Sequence, residues 1–246
     1  MTANTTPIGP GKASPESIRK LIAPVRYVLW DLDGPMCRLF AGHPANQVAR
    51  ELVISIEEGR QPELLTMKER LLKDPHAMLI GIGRRHPGNG QVAKLENWLT
   101  RQELLAVRRA VPTPHATDLI KAWSDQGARF ALVTNNSARA AAAYVSSQGA
   151  ACHFPHIYGR TRDLCLMKPH PHSLLQALSA MSADPLEALM LGDAPTDYAA
   201  AQAADVRFLG YADGALKVEA LRQAGVEPSC IVRSLKEVCD VLISQP

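Results

Sequence analysis

The sequence predicts an α/β fold: a doubly wound parallel sheet with a smaller α-helical domain inserted near its start. Three observations predict it. Strands and helices alternate after residue 110, one buried strand lies far upstream at residues 25–30, and the residues between are mostly helical. Because strands that alternate with helices form a parallel sheet covered on both faces, the upstream strand joins that sheet and the helical block is an insertion.

Residues 25–30, VRYVLW, are predicted as the first strand because they are apolar and rich in β-forming residues. Residues 43–110 carry apolar side chains at helical spacing, as in NQVARELVISIEEG at 46–59 and KLENWLTRQELLAVRRAV at 94–111. The segment GIGRRHPGNG at 81–90 is interpreted as a turn between two of these helices. Its glycines do not follow a strand, and it lacks the Lys-Ser/Thr pair of a phosphate-binding P-loop.

The rest of the chain alternates between the two kinds of element. The predicted strands are 128–136, 156–159, 187–193 and 206–211. The predicted helices are 115–127, 137–149, 171–182, 195–204, 214–225 and 234–244. Glycine ends several of these helices, as is common at a helix C-terminus.

We therefore expect a core domain formed by residues 21–36 and 111–246, and a helical cap domain formed by residues 37–110. Residues 1–20 are rich in Pro, Gly, Thr and Ser, which is typical of a flexible tail. A chain of 246 residues is long enough for one substantial core and a smaller second domain.

Composition narrows the expected partners and location. The net charge of +3, with both signs mixed along the chain, offers no electrostatic argument for a nucleic-acid partner. No apolar run reaches the roughly 18 residues that span a bilayer, and the N-terminus lacks the apolar core of a secretory signal. The five scattered cysteines favour neither a disulfide framework nor a zinc site. We expect a cytoplasmic monomer or homodimer without a membrane partner.

Polar residues suited to phosphate chemistry follow three of the predicted strands. In an open parallel sheet, ligands bind outside the carboxyl ends of the strands. A lysine enters the same edge from the loop before a helix. The residues placed there are Asp31, Asp33, Thr134, Asn135, Asn136, Lys168, Asp193 and Asp197.

Each residue type meets a need of phosphoryl transfer. Asp31 and Asp193 are natural ligands for a hard cation such as Mg²⁺, which screens an anionic nucleophile from the phosphoryl group. Lys168 can neutralise both the nucleophile and the phosphoryl oxygens, and the Thr134 hydroxyl can bind another oxygen. Attack by Asp31 would form an aspartyl-phosphate that water hydrolyses. Asp33 can serve as general acid and then as general base.

Several of these residues also fit roles outside catalysis. Asn135 and Asn136 can orient the substrate, but they can equally start the next helix. Arg84 in the segment 81–90 and Arg38 just past the first strand are candidates for binding an anionic group of the substrate. Taken alone, Thr134 is compatible with an ordinary strand end, Lys168 with a solvated surface position, and Asp197 with the first turn of a helix.

The set of motifs resembles the haloacid dehalogenase-like superfamily of hydrolases. Its first motif, D-x-D-G, is matched by Asp31, Asp33 and Gly34, and its second, an apolar strand ending in Thr or Ser, is matched by Thr134. The third motif is a lysine often followed by proline, and the fourth is G-D-x-x-x-D. They are matched by Lys168, Pro169, Gly192, Asp193 and Asp197. The motif order agrees, and the resemblance covers residues 25–243.

The resemblance implies a Rossmann-like core, Mg²⁺, Asp31 as nucleophile and Asp33 as general acid and base. It also implies that the Asp33 backbone carbonyl contacts the metal and that Asp193 and Asp197 are metal-site acids. The cap insertion after the first motif is similar to that of the phosphoglycolate phosphatase and β-phosphoglucomutase branch. Pro35 departs from the usual Thr or Val, and because proline fixes φ, we expect it to change the geometry of the linker into the cap.

The expected function is a Mg²⁺-dependent phosphatase that hydrolyses a small phosphorylated metabolite through an aspartyl-phosphate. Dehalogenases of the superfamily lack the second aspartate, so the presence of Asp33 favours phosphoryl transfer. Two alternatives remain open. One is transfer to an acceptor other than water, as in the mutases of the superfamily, and the other is a non-catalytic binding protein that kept the fold.

Overall fold

The computed structural model describes residues 13–244. Six strands form one sheet and two more form a separate antiparallel pair. In chain order they are β1 (Tyr27–Trp30), β2 (Cys37–Arg38), β3 (Val111–Pro112), β4 (Arg129–Ser137), β5 (His156–Arg160), β6 (Ala188–Gly192), β7 (Arg207–Tyr211) and β8 (Ile231–Val232). All five predicted strands are confirmed, whereas the two-residue strands β2, β3 and β8 lack a sequence signal long enough to predict.

The helices cover both faces of the sheet and form the insertion. They are α1 (Pro15–Ile22), α2 (Ala45–Glu58), α3 (Pro75–Arg85), α4 (Gly90–Val107), α5 (Ala116–Asp125), α6 (Ala138–Ser147), α7 (His172–Met181), α8 (Pro195–Ala203), α9 (Ala215–Gln223) and α10 (Lys236–Ile243). No helix within residues 13–244 is both long and apolar enough to cross a lipid bilayer.

The main sheet is parallel throughout, in the order β5-β4-β1-β6-β7-β8. This confirms the doubly wound α/β fold. The central strands β1 and β6 read as continuous apolar runs because helices cover both of their faces. On β1, Val28 and Trp30 pack into one hydrophobic cluster and Leu29 into the cluster on the opposite face. The carboxyl ends of β1, β4 and β6 meet at one edge of this parallel sheet, where the predicted catalytic and metal-site residues lie.

The predicted flexible tail at 1–20 is wrong for the part that the structure describes, and residues 1–12 lie outside it. Helix α1 begins after Ser14, whose side chain accepts a hydrogen bond from the Ser17 backbone N–H, with the Ser17 side chain bonding back to Ser14. Ile18 and Ile22 lie one turn apart and are buried in the cluster that includes α10. A capped helix with an apolar stripe is held by that packing rather than left free.

Helices α2, α3 and α4 form the inserted block around a third hydrophobic cluster, built from residues such as Leu52, Leu79 and Leu99 and joined by Leu164 and Met167 of the core. The interpretation of 81–90 as a turn is wrong for its first half, because residues 81–85 complete α3. Asp74 caps that helix through the His76 N–H at 2.8 Å, and buried apolar residues on α3 fix it despite its glycines. The division at residues 37–110 stays a prediction.

Candidate active site

A cavity of about 190 Å³ lies at the carboxyl edge of the sheet, between the core and helix α3. The core supplies most of its polar lining, and the N-terminal half of α3 supplies the opposite wall. Its lining residues are Asp31, Asp33, Asp74, His76, Ala77, Ile80, Thr134, Asn135, Asn136, Lys168, Asp193, Ala194, Thr196 and Asp197. The structure thus brings together the motif residues at 31, 33, 134, 168, 193 and 197, which are far apart in sequence.

Lys168 joins the first and fourth motifs through ion pairs. Its Nζ lies 2.8 Å from Asp31 Oδ1 and 2.5 Å from Asp197 Oδ1, and it donates to the Val133 carbonyl at 2.9 Å. The side chain is 2% exposed. Although burial opposes it, the charges of Asp197 and Asp31 raise the pKa of Lys168 above its ordinary value. The lysine is therefore a permanent cation beside the predicted nucleophile.

The loop after β6 is shaped around Asp193 and Asp197. Asp197 Oδ2 accepts the backbone N–H groups of Asp193 and Ala194 at 3.1 and 3.0 Å. Asp193 Oδ2 pairs with Lys217 Nζ at 2.6 Å, a contact from α9 that sequence reasoning missed. Gly34, with φ of 118°, faces this loop, and a Cβ there would collide with the Asp193 carboxylate. The glycine of the first motif lets the two loops approach.

The carboxylates of Asp31, Asp193 and Asp197 fit a divalent cation. One oxygen from each lies within 4.8 Å of the others, and Mg²⁺ prefers such oxygen ligands. Burial raises the pKa of Asp31 to about 7 against the opposing charge of Lys168, and burial likewise raises the pKa of Asp193 to about 7. Burial disfavours the ionised form of both carboxyl groups, and a bound cation would favour that form.

Asp33 lines the same cavity as Asp31 but has a different hydrogen-bond partner. Its Oδ1 accepts the Leu39 backbone N–H at 2.8 Å, which orients the carboxyl group in the turn that follows β1. Burial raises the pKa of Asp33 to about 6, and the Leu39 hydrogen bond opposes the rise. A general acid and base works best with a pKa near the working pH, so the environment of Asp33 suits the predicted role.

The end of β4 supplies a hydroxyl donor. Thr134 Oγ1 accepts hydrogen bonds from the Asn136 backbone N–H and side-chain amide, both at 3.1 Å. Its acceptor positions are thus occupied and its hydrogen is left to donate to a phosphoryl oxygen. Asn135 instead holds the lysine loop, since its amide donates to the Lys168 carbonyl at 3.0 Å and accepts the Lys168 N–H at 2.7 Å.

The two arginines predicted to bind substrate do not line the cavity. Arg84 and Arg38 are exposed and lie outside the described lining of the cavity. Arg84 is on the outer part of α3, and its neighbour Arg85 pairs with Glu69 within the inserted block. Substrate binding by Arg84, Arg38 and Asn135 stays a prediction.

Sequence reasoning missed a buried network that anchors the α3 wall to the core. His76 Nε2 lies 2.9 Å from Glu103 Oε1, and the Glu103 side chain is fully buried. Arg160, at the end of β5, donates to the same carboxylate at 2.7 Å, and Ser137 donates its backbone N–H to the other oxygen at 2.9 Å. Although burial acts to raise it, the His76 hydrogen bond and the Arg160 charge lower the pKa of Glu103 to about 2.

We expect Glu103→Gln to lower the free energy of unfolding at pH 7 by about 3 kcal/mol, because it removes the closer of the two carboxylates that pair with the buried Arg160 and leaves only Glu96, at 3.2 Å. The folded pKa of Glu103 lies below its ordinary value of 4.5. Its contribution is therefore complete above pH 4.5 and is lost as the pH falls towards 2. Urea unfolding from pH 7 downwards measures this, with Glu63→Gln on the exposed surface as control. A difference from wild type that grows on acidification would contradict the assignment.

Sequence comparison with known proteins identifies the family to which these motifs belong. The sequence profile of the haloacid dehalogenase-like hydrolases matches residues 25–205. The phosphoglycolate phosphatase of Rhodospirillum rubrum is 27% identical over 186 residues, covering 74% of this chain and 77% of that protein. The Escherichia coli K12 phosphoglycolate phosphatase is 30% identical over 129 residues, 52% of this chain and 50% of its own length.

The fold is also found among solved structures. The crystal structure of a predicted phosphatase from Clostridium acetobutylicum superposes with a TM-score of 0.65 at 17% identity, covering 90% of this chain and 99% of that one. That likeness concerns the fold, whereas the profile match spans the β1, β4, Lys168 and β6 motifs in order. The chain therefore belongs to the haloacid dehalogenase-like hydrolases.

Proposed function

We propose that the protein is a Mg²⁺-dependent phosphatase that hydrolyses small phosphomonoesters through an aspartyl-phosphate on Asp31. The observation that carries the proposal is the position of Asp31. Its Oδ1 is fixed by Lys168 at 2.8 Å, in a cavity shared with Asp33, Thr134 and Asp193. The other carboxylate oxygen is thereby left for attack on phosphorus.

In the first half-reaction, an Asp31 oxygen forms a bond to phosphorus while the bond from phosphorus to the leaving oxygen breaks. Asp33 donates its proton to that oxygen, and the product alcohol departs. Lys168 and the Thr134 hydroxyl stabilise the charge on the phosphoryl oxygens. In the second half-reaction, water attacks the aspartyl-phosphate and gives its proton to Asp33. Inorganic phosphate leaves and the Asp31 carboxylate is restored.

Asp31, Asp193 and the Asp33 backbone carbonyl are the groups that we propose to hold Mg²⁺. Asp197 uses both oxygens to orient Lys168 and the backbone of the β6 loop, so we propose that it acts mainly by positioning its neighbours. When bound, the cation supplies positive charge that keeps Asp31 ionised and offsets the charge of the phosphoryl group.

Removal of the metal tests the proposal. We expect the protein to release phosphate from p-nitrophenyl phosphate and from small alkyl phosphates. Dialysis against EDTA should lower that rate by about 100-fold or more, because the negative charge of the site is then unscreened. Added Mg²⁺ should restore the rate. Undiminished turnover after exhaustive EDTA treatment would contradict a Mg²⁺-dependent mechanism.

A further inference from the structure

The wall that α3 contributes to the cavity has a distinct chemistry. It presents Asp74 and His76 together with the small apolar surface of Ala77 and Ile80. The phosphoryl-binding groups lie on the core side, so the leaving group of a substrate occupies the space towards α3. The hydrogen-bonding groups on this wall would therefore contact the leaving group and influence which substrates bind.

His76 lines that space, and its two ring nitrogens have different surroundings. The Glu103 carboxylate can only accept a hydrogen bond, so the bond between them assigns the hydrogen to His76 Nε2. Nδ1 then lies 3.7 Å from Asp74 Oδ1, too far for a hydrogen bond. Because Arg160 and Ser137 hold Glu103 in turn, the imidazole is anchored rather than free to turn away. In its neutral form the ring offers Nδ1 as an acceptor beside the acceptor oxygens of Asp74.

A buried amide adds an independent observation. Asn136 lines the same cavity and is 3% exposed. Its Oδ1 is buried and has no hydrogen-bond partner among the described residues. A buried acceptor of this kind is normally satisfied, and a hydrogen-bond donor on the substrate can satisfy it. The unpaired acceptor therefore belongs to a residue of the core wall, across the cavity from Asp74 and His76.

The charge of the cavity also favours a leaving group without a carboxylate. Five aspartates line the cavity, at positions 31, 33, 74, 193 and 197, and two lysines pair with them, Lys168 from the lining and Lys217 through Asp193, so the described acids outnumber the lysines. A bound Mg²⁺ and the dianionic phosphoryl group roughly cancel each other. A carboxylate on the leaving group would therefore face the acids without a cation of its own, and like charges placed together disfavour binding.

We propose, resting on the phosphatase activity proposed above, that the preferred substrates are small phosphomonoesters whose leaving group carries a hydrogen-bond donor, a hydroxyl or an amine, and no carboxylate. Asp74 and His76 are the specificity residues of the α3 wall. This preference differs from the substrate named for the phosphoglycolate phosphatases, since phosphoglycolate carries a carboxylate. Because the Asp74 side chain is 62% exposed, we expect this wall to discriminate only modestly against esters that lack a donor.

A matched series of two-carbon esters tests the inference. Ethyl, 2-hydroxyethyl, 2-aminoethyl and carboxymethyl phosphate differ only in the terminal group, and carboxymethyl phosphate is phosphoglycolate. We expect kcat/KM for the hydroxyethyl and aminoethyl esters to exceed that for the carboxymethyl ester by about tenfold. Ethyl phosphate should fall between them. The ratio of kcat/KM for the hydroxyethyl and aminoethyl esters shows which of the two donor groups the site prefers.

Asp74→Asn tests the α3 wall within the same series. Asparagine caps a helix as well as aspartate does, so α3 should keep its start while the wall loses a charge. We expect the ratio of kcat/KM for the aminoethyl and carboxymethyl esters to fall about threefold, a modest change because the Asp74 side chain is 62% exposed. Asp184→Asn is the matched control, since Asp184 caps a short turn before β6 through Leu186. It should leave the ratio unchanged.

The outcomes separate the inference from the proposed function. Failure to hydrolyse any of these esters or p-nitrophenyl phosphate would overturn the phosphatase proposal and the inference with it. Hydrolysis with the carboxymethyl ester preferred, or with ethyl phosphate equal to both donor esters, would overturn the inference alone. An unchanged ratio in Asp74→Asn would remove Asp74 as a specificity residue.

Discussion

Replacing Asp31 with asparagine is expected to abolish turnover, lowering kcat for p-nitrophenyl phosphate by about 10⁴-fold or more. The amide cannot form the aspartyl-phosphate, so the loss should be in kcat. The fold should survive, because Lys168 keeps its ion pair with Asp197 and its hydrogen bond to the Val133 carbonyl. Steady-state kinetics measure the loss, and intact-mass analysis of the wild-type enzyme during turnover should detect a phosphorylated species that the variant lacks.

A matched variant separates the nucleophile from a general effect of removing an acid. Asp205 is exposed and has a positive φ of 55°, which asparagine adopts as readily as aspartate. Asp205→Asn should therefore be as active and as stable as the wild type. If Asp31→Asn kept turnover within tenfold of the control while folded, Asp31 would not be the nucleophile and the proposed function would fall.

The arrangement of the site followed from the sequence because it depends on strand ends. Once β1, β4 and β6 are assigned to one parallel sheet, the rule for ligand sites at carboxyl ends places Asp31, Thr134 and Asp193 together. Lys168 comes from a loop, and its link to Asp31 spans 137 residues. Only the combination of motifs, and not the lysine itself, predicted that contact.

The α3 wall escaped prediction for two physical reasons. The glycines in GIGRR masked the end of a helix that Asp74 and Pro75 start with an ordinary cap and N1 pair. The network behind it joins His76 to Glu103 across 27 residues and Glu103 to Arg160 across 57. No local periodicity reports such pairings, because they depend on how the inserted helices sit on the sheet.

Helix α1, by contrast, has a local signal in the sequence. Residues 14–22, SPESIRKLI, contain a capping serine, a proline at the first helical position and two isoleucines four residues apart. Composition alone favoured a tail there, but the spacing of Ile18 and Ile22 indicates a helix with one buried side. Lys217, by contrast, is a half-exposed helix residue whose contact with Asp193 becomes visible only in three dimensions.

Lys168→Met is expected to lower kcat/KM by about 10³-fold, the scale of removing one preorganised charge from a site that stabilises an anionic transition state. The substitution also changes the ionisation of the nucleophile. The pKa of Asp31 is already raised to about 7 by burial, and Lys168 is the largest influence that opposes the rise. Without the lysine, the cation alone opposes that rise, so the pKa of Asp31 should be higher than in the wild type and a smaller fraction of the variant should hold an ionised nucleophile at a given acidic pH.

The pH profile distinguishes this electrostatic role from a merely structural one. Because the active form needs ionised Asp31, loss of Lys168 should move the acidic limb of the kcat/KM profile to higher pH and return part of the activity under alkaline conditions. Lys121→Met, at an exposed position on α5, should leave both the rate and the profile unchanged. A variant whose rate falls equally at every pH would show that Lys168 acts on the phosphoryl group alone and does not tune Asp31.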